Sequence, residues 1–386
     1  MFNEYSLKFG AANIVFIPEF QYIVFPSVSI FFKTPMNFSN SIIQWYLKHK
    51  RDLPWRDTLD PYKIWLSEII LQQTRVEQGL PYYLKFTDAF PTITDLANAS
   101  EDIVLKHWQG LGYYSRARNL HHSAQTVRDR FQGRFPSSYS EIISLKGVGE
   151  YTAAAIASFS YNLPHAVVDG NVIRVISRVF GVLDPVDSMF GLGEVKSIAA
   201  RELDLERPAL HNQAIMEFGA LQCVPVNPNC GDCPLSGVCY AKKMEVVKEI
   251  PLKSKKTAVK NLFLYYAVVK YKNGLFVKRR DSEGIWKGLY DFPVLESETP
   301  ILEEQVLSFF NKEYALSNQA VLTDISPAYR HLLSHRKIEA RFFRFEVNNI
   351  PSFSLDKANW FSVDKILEKG VPRLIERYFE AINLYK

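Results

Sequence analysis

Cysteine is scarce in this chain of 386 residues: there are four, and all fall between Cys223 and Cys239. Disulfide staples would be spread across a fold. Their absence elsewhere argues against a secreted, disulfide-framed protein and for a metal site in a reducing compartment. Long apolar runs are missing too. The apolar stretch Phe20–Phe32 covers only 13 residues, short of the ~20 that a membrane helix needs. It also lacks the basic start and small-residue cleavage site of a signal peptide. Translation is expected to begin at Met36, with residues 1–35 a non-native or disordered extension. No internal repeat or low-complexity segment is present, which excludes solenoid and fibrous designs. Charge of one sign is not abundant either. Forty-six Lys and Arg against 41 Asp and Glu leave a net charge of +5, compatible with a nucleic-acid partner without demanding one.

What is present reads as globular, with 47% hydrophobic and 23% charged residues. The length allows two or three domains. Residues 36–240 read as successive helices. Apolar residues recur at three and four, as in Val172, Val175, Ile176 and Val179, and Pro61, Pro91, Pro136, Gly147, Gly149 and Pro164 punctuate them. Residues 241–261 are polar and basic and read as an extended linker. From 262 to 386 short runs rich in aromatic and β-branched residues take over. Asn273-Gly274 between Leu262–Val269 and Leu275–Val277 predicts a hairpin. The fold class is therefore mainly α, followed by a small α+β domain.

Four motifs carry chemistry. Cys223-x6-Cys230-x2-Cys233-x5-Cys239 sets four thiolates within 17 residues, able to converge on one soft centre. By spacing alone an iron–sulfur cluster and a four-cysteine zinc site both stay open. Lys242 and Lys243 follow and offer positive charge to phosphates. Gly147-Val148-Gly149 makes a tight turn before a helix, whose free N–H groups suit a phosphate; an ordinary interhelical turn is the plainer reading. Glu68 lies among Ile64, Leu66, Ile69, Ile70 and Leu71. There a carboxyl group has a raised pKa and suits a general acid, unless it sits on the outer, solvated face. Asp169 precedes an amphipathic helix headed by Asn171 or Val172. It serves as an N-cap, and at the positive helix end it stays ionised, able to stabilise a developing cation.

These motifs, in this order, resemble the MutY-type adenine DNA glycosylases of the endonuclease III, helix-hairpin-helix superfamily. The resemblance runs over about residues 37–380. It is carried further by Leu53-Pro54-Trp55-Arg56, by Ile69-Ile70-Leu71-Gln72-Gln73-Thr74-Arg75, by Gly110-Leu111-Gly112-Tyr113-Tyr114, and by His211-Asn212-Gln213-Ala214. It implies a two-lobed helical glycosylase domain with a [4Fe–4S] cluster held by the four cysteines, then a MutT-like, Nudix-fold domain. It assigns catalysis to Glu68 and Asp169, supported by Tyr151 and Asn171. Trp55, Arg56 and Gln213 are implied to bind adenine. Gln73, Leu111, Gly112, Tyr113, Gly147, Val148 and Gly149 are implied to contact DNA, with Leu111 and its neighbours wedging the duplex.

The implied partner is double-stranded DNA carrying adenine opposite 8-oxoguanine or guanine, bound by a monomer in the cytoplasm, on the nucleoid if the source is bacterial. The implied reaction is base flipping and hydrolysis of the N-glycosidic bond. Strand cleavage is not implied, because Tyr151 stands where lyase members of the superfamily carry lysine. An endonuclease III-like lyase and a catalytically dead DNA-binding protein are the alternatives. Three departures stand out. Lys146 occupies a place where the family often has proline. The segment around Glu303-Glu304 lacks the Arg-Glu-x-x-Glu-Glu core of a Nudix hydrolase, so the last domain is expected to bind and not to hydrolyse. Leu333-Ser334-His335 matches a Phe-Ser-His loop that senses 8-oxoguanine, with leucine in place of phenylalanine.

Overall fold

The computed structural model describes residues 8–9, 12–13, 37–254, 259–281, 284–314, 316, 320–333, 336–349 and 359–382. Lys8–Phe9 (β1) and Ala12–Asn13 (β2) pair antiparallel. The chain forms two compact units. One joins Met1–Arg51 to Ala166–Ser254, and the other joins Asp52–His165 to Lys255–Lys386.

In the first unit, helix α1 (Phe38–His49) packs on α11 (Pro208–Leu221), which also packs on α9 (Gly170–Phe180). Helix α10 (Met189–Glu202) packs on α9 as well. Phe38 meets Phe180 edge to face at 5.3 Å. Beside it His211 is buried, its Nδ1 2.8 Å from Ser39 Oγ. Burial lowers the His211 pKa to about 4.

The second unit begins with a 3-10 turn at Pro54–Arg56 and helices α2 (Pro61–Leu71), α3 (Val76–Ala89), α4 (Ile93–Asn98), α5 (Glu101–Trp108), α6 (Ser115–Arg130), α7 (Tyr139–Ile143) and α8 (Glu150–Tyr161). Local capping sets their starts. Asp60 accepts from Tyr62 N ahead of Pro61, and Thr92 with Asp95 makes a reciprocal capping box.

The same unit carries a seven-stranded sheet. Its centre is a parallel pair, β3 (Lys260–Tyr271) with β10 (Arg336–Val347). Alternate residues point to opposite faces. Tyr265, Phe343 and Phe345 pack on Val306 and Phe310 of α13 (Glu303–Tyr314). Phe342 stacks at 5.0 Å on Tyr266 and at 3.9 Å on Tyr378 of α15 (Arg373–Ala381). Central strands covered on both sides explain the continuous apolar run at Leu262–Val269.

Two expectations need correction. The hairpin pairs Lys270 with Leu275 and Tyr271 with Gly274. Its turn is therefore Lys272-Asn273, with Lys272 at φ 50°, and Gly274 belongs to β4 (Gly274–Phe276). Pairing of β4 with β11 (Trp360–Ser362), where Gly274 faces Ser362, draws the glycine into the strand. Residues 241–254 are also not an extended linker. Ala241 and Ile250 are buried, Val186 N donates to Leu252 O at 3.0 Å, and Ser254 N donates to Asp187 at 2.9 Å. Buried side chains and loop hydrogen bonds hold a segment whose composition is polar.

The buried, neutral His211 makes stability pH-dependent. Its folded pKa lies below the ordinary 6.5, so the unfolded chain takes up the proton first and stability falls as pH drops from 6.5 toward 4. At pH 5 the loss relative to pH 7 should be about 2 kcal/mol. Denaturant titrations of wild type and His211→Gln at both pH values should show a flatter profile for the variant; parallel profiles would refute this.

Candidate active site

Glu68 lies on the buried side of α2, 7% exposed. Helix α8 packs on α2 and brings Tyr151 to it: Tyr151 Oη donates to Glu68 Oε2 at 2.6 Å. The outer-face reading of Glu68 is thereby excluded. One turn on, Gln72 Nε2 donates to Thr152 Oγ1 at 3.2 Å. Gln73 then projects to solvent with φ 56°, a left-handed conformation uncommon outside glycine.

Arg116, within the stretch Gly110–Leu120 that carries part of the resemblance, organises this end of the unit, a role the sequence had not assigned it. Its Nη1 donates to Ile69 O at 2.9 Å, to Ile70 O at 3.0 Å and to Gln72 O; its Nη2 reaches Leu111 O and Gly112 O at 3.4 Å. The guanidinium also lies over the Trp108 ring at 5.1 Å and the Tyr113 ring at 5.6 Å. Burial lowers its pKa to about 10. The loop it holds carries Gly112 at φ 71° and an exposed Tyr113 at φ 47°. Leu111, expected to wedge the duplex, is instead buried at 6% exposure. In this conformation Tyr113 is the loop's exposed ring, and Leu111 anchors it.

Asp169 is the N-cap of α9, whose first residue is Gly170. Its Oδ1 accepts from Asn171 N at 2.9 Å and Val172 N at 2.8 Å, and its Oδ2 from Asn171 Nδ2 at 2.8 Å. Burial raises its pKa, while those donors and Arg174 pull it down; the balance is upward, so burial outweighs the donors of the helix end. Arg174 extends the chain of contacts. Its Nη2 donates to Asn171 Oδ1 at 2.9 Å and to Gly219 O at 2.6 Å, and its Nε to Cys223 O at 2.7 Å. Helices α9 and α11 meet so closely here that a Cβ on Gly219 would lie 2.7 Å from Asn171 Cβ. Only glycine fits.

The four cysteines are free thiols bordering one cavity. Burial raises Cys233 to about 11 and raises Cys239 as well, with the neighbouring thiols adding to both. Four mutually repelling thiolates are stable only around a cation, so the donor set fits iron held by sulfur. Among the described residues no three His, Cys, Asp or Glu side chains are placed to hold a single metal ion. Buried Arg178 braces the loop: it donates to Val224 O at 2.8 Å, Pro225 O at 3.0 Å and Ile250 O at 2.9 Å, with Nη1 3.5 Å from Cys223 Sγ. Lys242, expected to face phosphates, turns back to Cys230 O at 3.1 Å.

The glycine hairpin has the expected shape. Gly147 sits at φ 81°, with Asn119 packed so close that a Cβ would lie 2.7 Å from Asn119 Cβ. Gly149 caps α8 without a side-chain hydrogen bond. Val148 differs from expectation: it is buried and its N–H donates to Leu145 O at 3.1 Å, so it supports the turn from within. Trp55 packs edge to face on Tyr83 at 5.1 Å, with Arg56 next to it on the 3-10 turn. Gln213 belongs to the first unit, where Tyr46 Oη lies 2.7 Å from its Oε1. Glu68 and Asp169 are likewise carried by different units. Ser334 and His335 lie outside the described residues; the flanking Leu333 and Arg336 pair across the hairpin of β9 (Tyr329–Leu333) and β10.

These features define a base-excision repair protein. Residues 66–189 match the family model described as HhH-GPD superfamily base excision DNA repair protein. Residues 223–239 match the iron-sulfur binding domain of endonuclease III, and residues 265–381 a NUDIX domain. The adenine DNA glycosylase of Buchnera aphidicola subsp. Baizongia pistaciae is 33% identical, over 91% of this chain and 98% of its own length. That of Homo sapiens is 40% identical over 53% of this chain and 39% of its own. A thermostable thymine-DNA glycosylase structure aligns at 28% identity and a TM-score of 0.49, covering 54% of this chain and 95% of that one. The chain belongs to the adenine DNA glycosylase family, and it carries a [4Fe–4S] cluster.

Protein purified without oxygen should hold about four irons per chain with broad visible absorbance. Cys230→Ser should lose most of that iron and lower the unfolding temperature. Metal analysis finding stoichiometric zinc and no iron would overturn the ligand assignment.

Proposed function

We propose that this chain excises adenine paired with 8-oxoguanine or guanine in duplex DNA, hydrolytically and without cutting the strand. The observation that carries the reading is the 2.6 Å hydrogen bond from Tyr151 to buried Glu68. It orients the carboxyl group from Tyr151, the position where a lyase would present a lysine. In this reading Glu68 protonates N7 of the flipped adenine. The C1′–N9 bond breaks and its electron pair leaves with the base. Asp169, fixed by Asn171, stabilises the positive sugar. Glu68 then takes a proton from the water that attacks C1′. Cys223, Cys230, Cys233 and Cys239 hold the cluster, which keeps the loop between α11 and residue 240 folded.

Trp55, Arg56 and Gln213 would receive the base, and Gln73, Tyr113 and the Gly147–Gly149 backbone would contact DNA. The last domain would read the opposite base through Ser334 and His335. No helix among the described residues is long and apolar enough to cross a membrane; the proposed setting is a monomer in the cytoplasm, on the nucleoid in a bacterium.

An adenine:8-oxoguanine duplex tests the activity. Glu68→Gln should lower single-turnover excision by at least the roughly 10²–10⁴-fold of general acid–base catalysis while keeping mismatch binding. Near-wild-type turnover would reject Glu68 as the acid. Strand breaks arising before alkali treatment would favour the lyase reading, and binding with no excision the catalytically dead one.

Ser334→Ala with His335→Ala should narrow the affinity ratio of adenine:8-oxoguanine over adenine:guanine by roughly ten- to a hundredfold, or about 1.4–2.7 kcal/mol. An unchanged ratio would move recognition of the opposite base to the loop at Gly112–Tyr113.

A further inference from the structure

Helix α5 ends at Trp108, and the next residue, Gln109, opens the loop that carries Gly110, Leu111, Gly112 and Tyr113. The Nudix-like domain of the same unit holds this junction. Lys106 Nζ donates to Leu367 O, at the end of α14 (Val363–Leu367), at 2.6 Å and to Lys369 O at 3.3 Å. The same ammonium donates to Gln109 Oε1 at 3.1 Å. Gln109 Nε2 donates to Glu376 Oε1 on α15. Glu376 is fixed in turn by Arg373, whose Nη1 lies 3.1 Å from its Oε2. The Gln109 amide therefore bridges a lysine of α5 and a carboxylate of α15. Gly370 packs on the same turn of helix, where a Cβ would lie 3.5 Å from Leu105 C and from Lys106 N. Burial lowers the Lys106 pKa, and Glu376 opposes that shift.

From Gln109 the contacts run on into the loop. Gln109 O accepts from Tyr82 Oη at 2.8 Å, and Gly110 N donates to Tyr114 Oη at 3.4 Å. Leu111 N donates to Trp108 O at 3.1 Å. Trp108 Nε1 donates to Gly112 O at 2.9 Å, one residue before Tyr113. The Trp108 ring is fully buried, and a close-packed interior passes a displacement on where a loose one would absorb it. The charge of Glu376 also reaches Tyr82 and Tyr114, whose pKa values are raised first by burial and further by that carboxylate. Glu376, Gln109, Trp108 and Gly112 thus form one line of contacts from α15 to the exposed ring of Tyr113.

We propose that Lys106, Gln109 and Glu376 are positioning residues, through which the Nudix-like domain sets the Gly110–Tyr113 loop for contact with DNA. The inference rests on the DNA-glycosylase reading above, in which Tyr113 touches the duplex. The last domain thereby acts on DNA in a second way, by holding a loop of the glycosylase helices, besides reading the opposite base itself.

Full-length, cluster-loaded protein is titrated with a duplex carrying uncleavable 2′-fluoro-adenosine opposite 8-oxoguanine. Gln109→Ala should weaken binding about tenfold, mid-range for residues coupled in one hydrogen-bonded network. Glu376→Leu and Lys106→Met should shift it the same way. Glu376→Gln still offers Gln109 an acceptor oxygen and should stay near wild type. The decisive measurement is a double-mutant cycle with Tyr113→Ala, run with Gln109→Ala and again with Glu376→Leu. Residues that act through the loop should cost little once the Tyr113 ring is gone. Residues that merely hold the domains together would cost the same about tenfold in both backgrounds, and that result overturns the inference. Wild-type affinity in Gln109→Ala and Glu376→Leu overturns it too. Wild type that binds the duplex but leaves adenine in a cleavable one refutes the proposed function and not this inference; wild type that binds no duplex overturns both.

Discussion

Two carboxyl groups drawn away from bulk water, Glu68 buried and Asp169 half-buried, each constrain the unit that carries them. A buried carboxylate is costly unless its oxygens find donors. Glu68 meets this with a tyrosine from the helix packed against its own, and Asp169 with two backbone N–H groups and an asparagine amide. The solutions demand different things of the chain. Glu68 needs α2 and α8 side by side. Asp169 needs only the start of its own helix, but Asn171 must be held by Arg174, and Gly219 must stay bare for α9 and α11 to close.

Arginine recurs as the device that fixes irregular backbone. Arg116 gathers carbonyls from the 69–72 and 111–112 segments, Arg174 from 219 and 223, and Arg178 from 224, 225 and 250. Loop carbonyls turned inward need donors, and a planar fork with five N–H groups serves several at once. Lysine at these places would supply the charge and lose the geometry. The strained residues Gln73 and Tyr113 both border the segments that Arg116 holds, as expected where a rigid support sustains an unfavourable conformation.

Features encoded locally were legible in the sequence. The cysteine spacing, the Gly147–Gly149 turn and the Asp169 cap each depend on residues a few positions apart. The α-then-α+β division followed from periodicity. Glu68 was ambiguous by pattern, because its partner Tyr151 lies 83 positions away; resemblance to a family singled it out. The arginines were invisible, since a side chain that bonds distant carbonyls leaves no pattern. Leu111 and Val148 were read as contact residues from the resemblance of their loops, yet an apolar side chain in a tight turn gains more by turning inward. The hairpin slipped by one residue because strand pairing with β11 outweighed the local preference of Asn273-Gly274.

The interleaved order of the two units has a consequence for biosynthesis. Helix α1 leaves the ribosome early, but its partner α11 starts at Pro208. At about 5–20 residues per second, the apolar face of α1 waits roughly 10–30 s for that partner. The intervening stretch, Asp52–His165, belongs to the other unit and is complete before α11 exists. A nascent chain of this protein therefore carries an unsatisfied, greasy helix ahead of an already condensing body, the kind of segment that trigger-type chaperones shield. The cysteine loop follows α11 directly, so the last cluster ligand, Cys239, is synthesised only after α11 is complete.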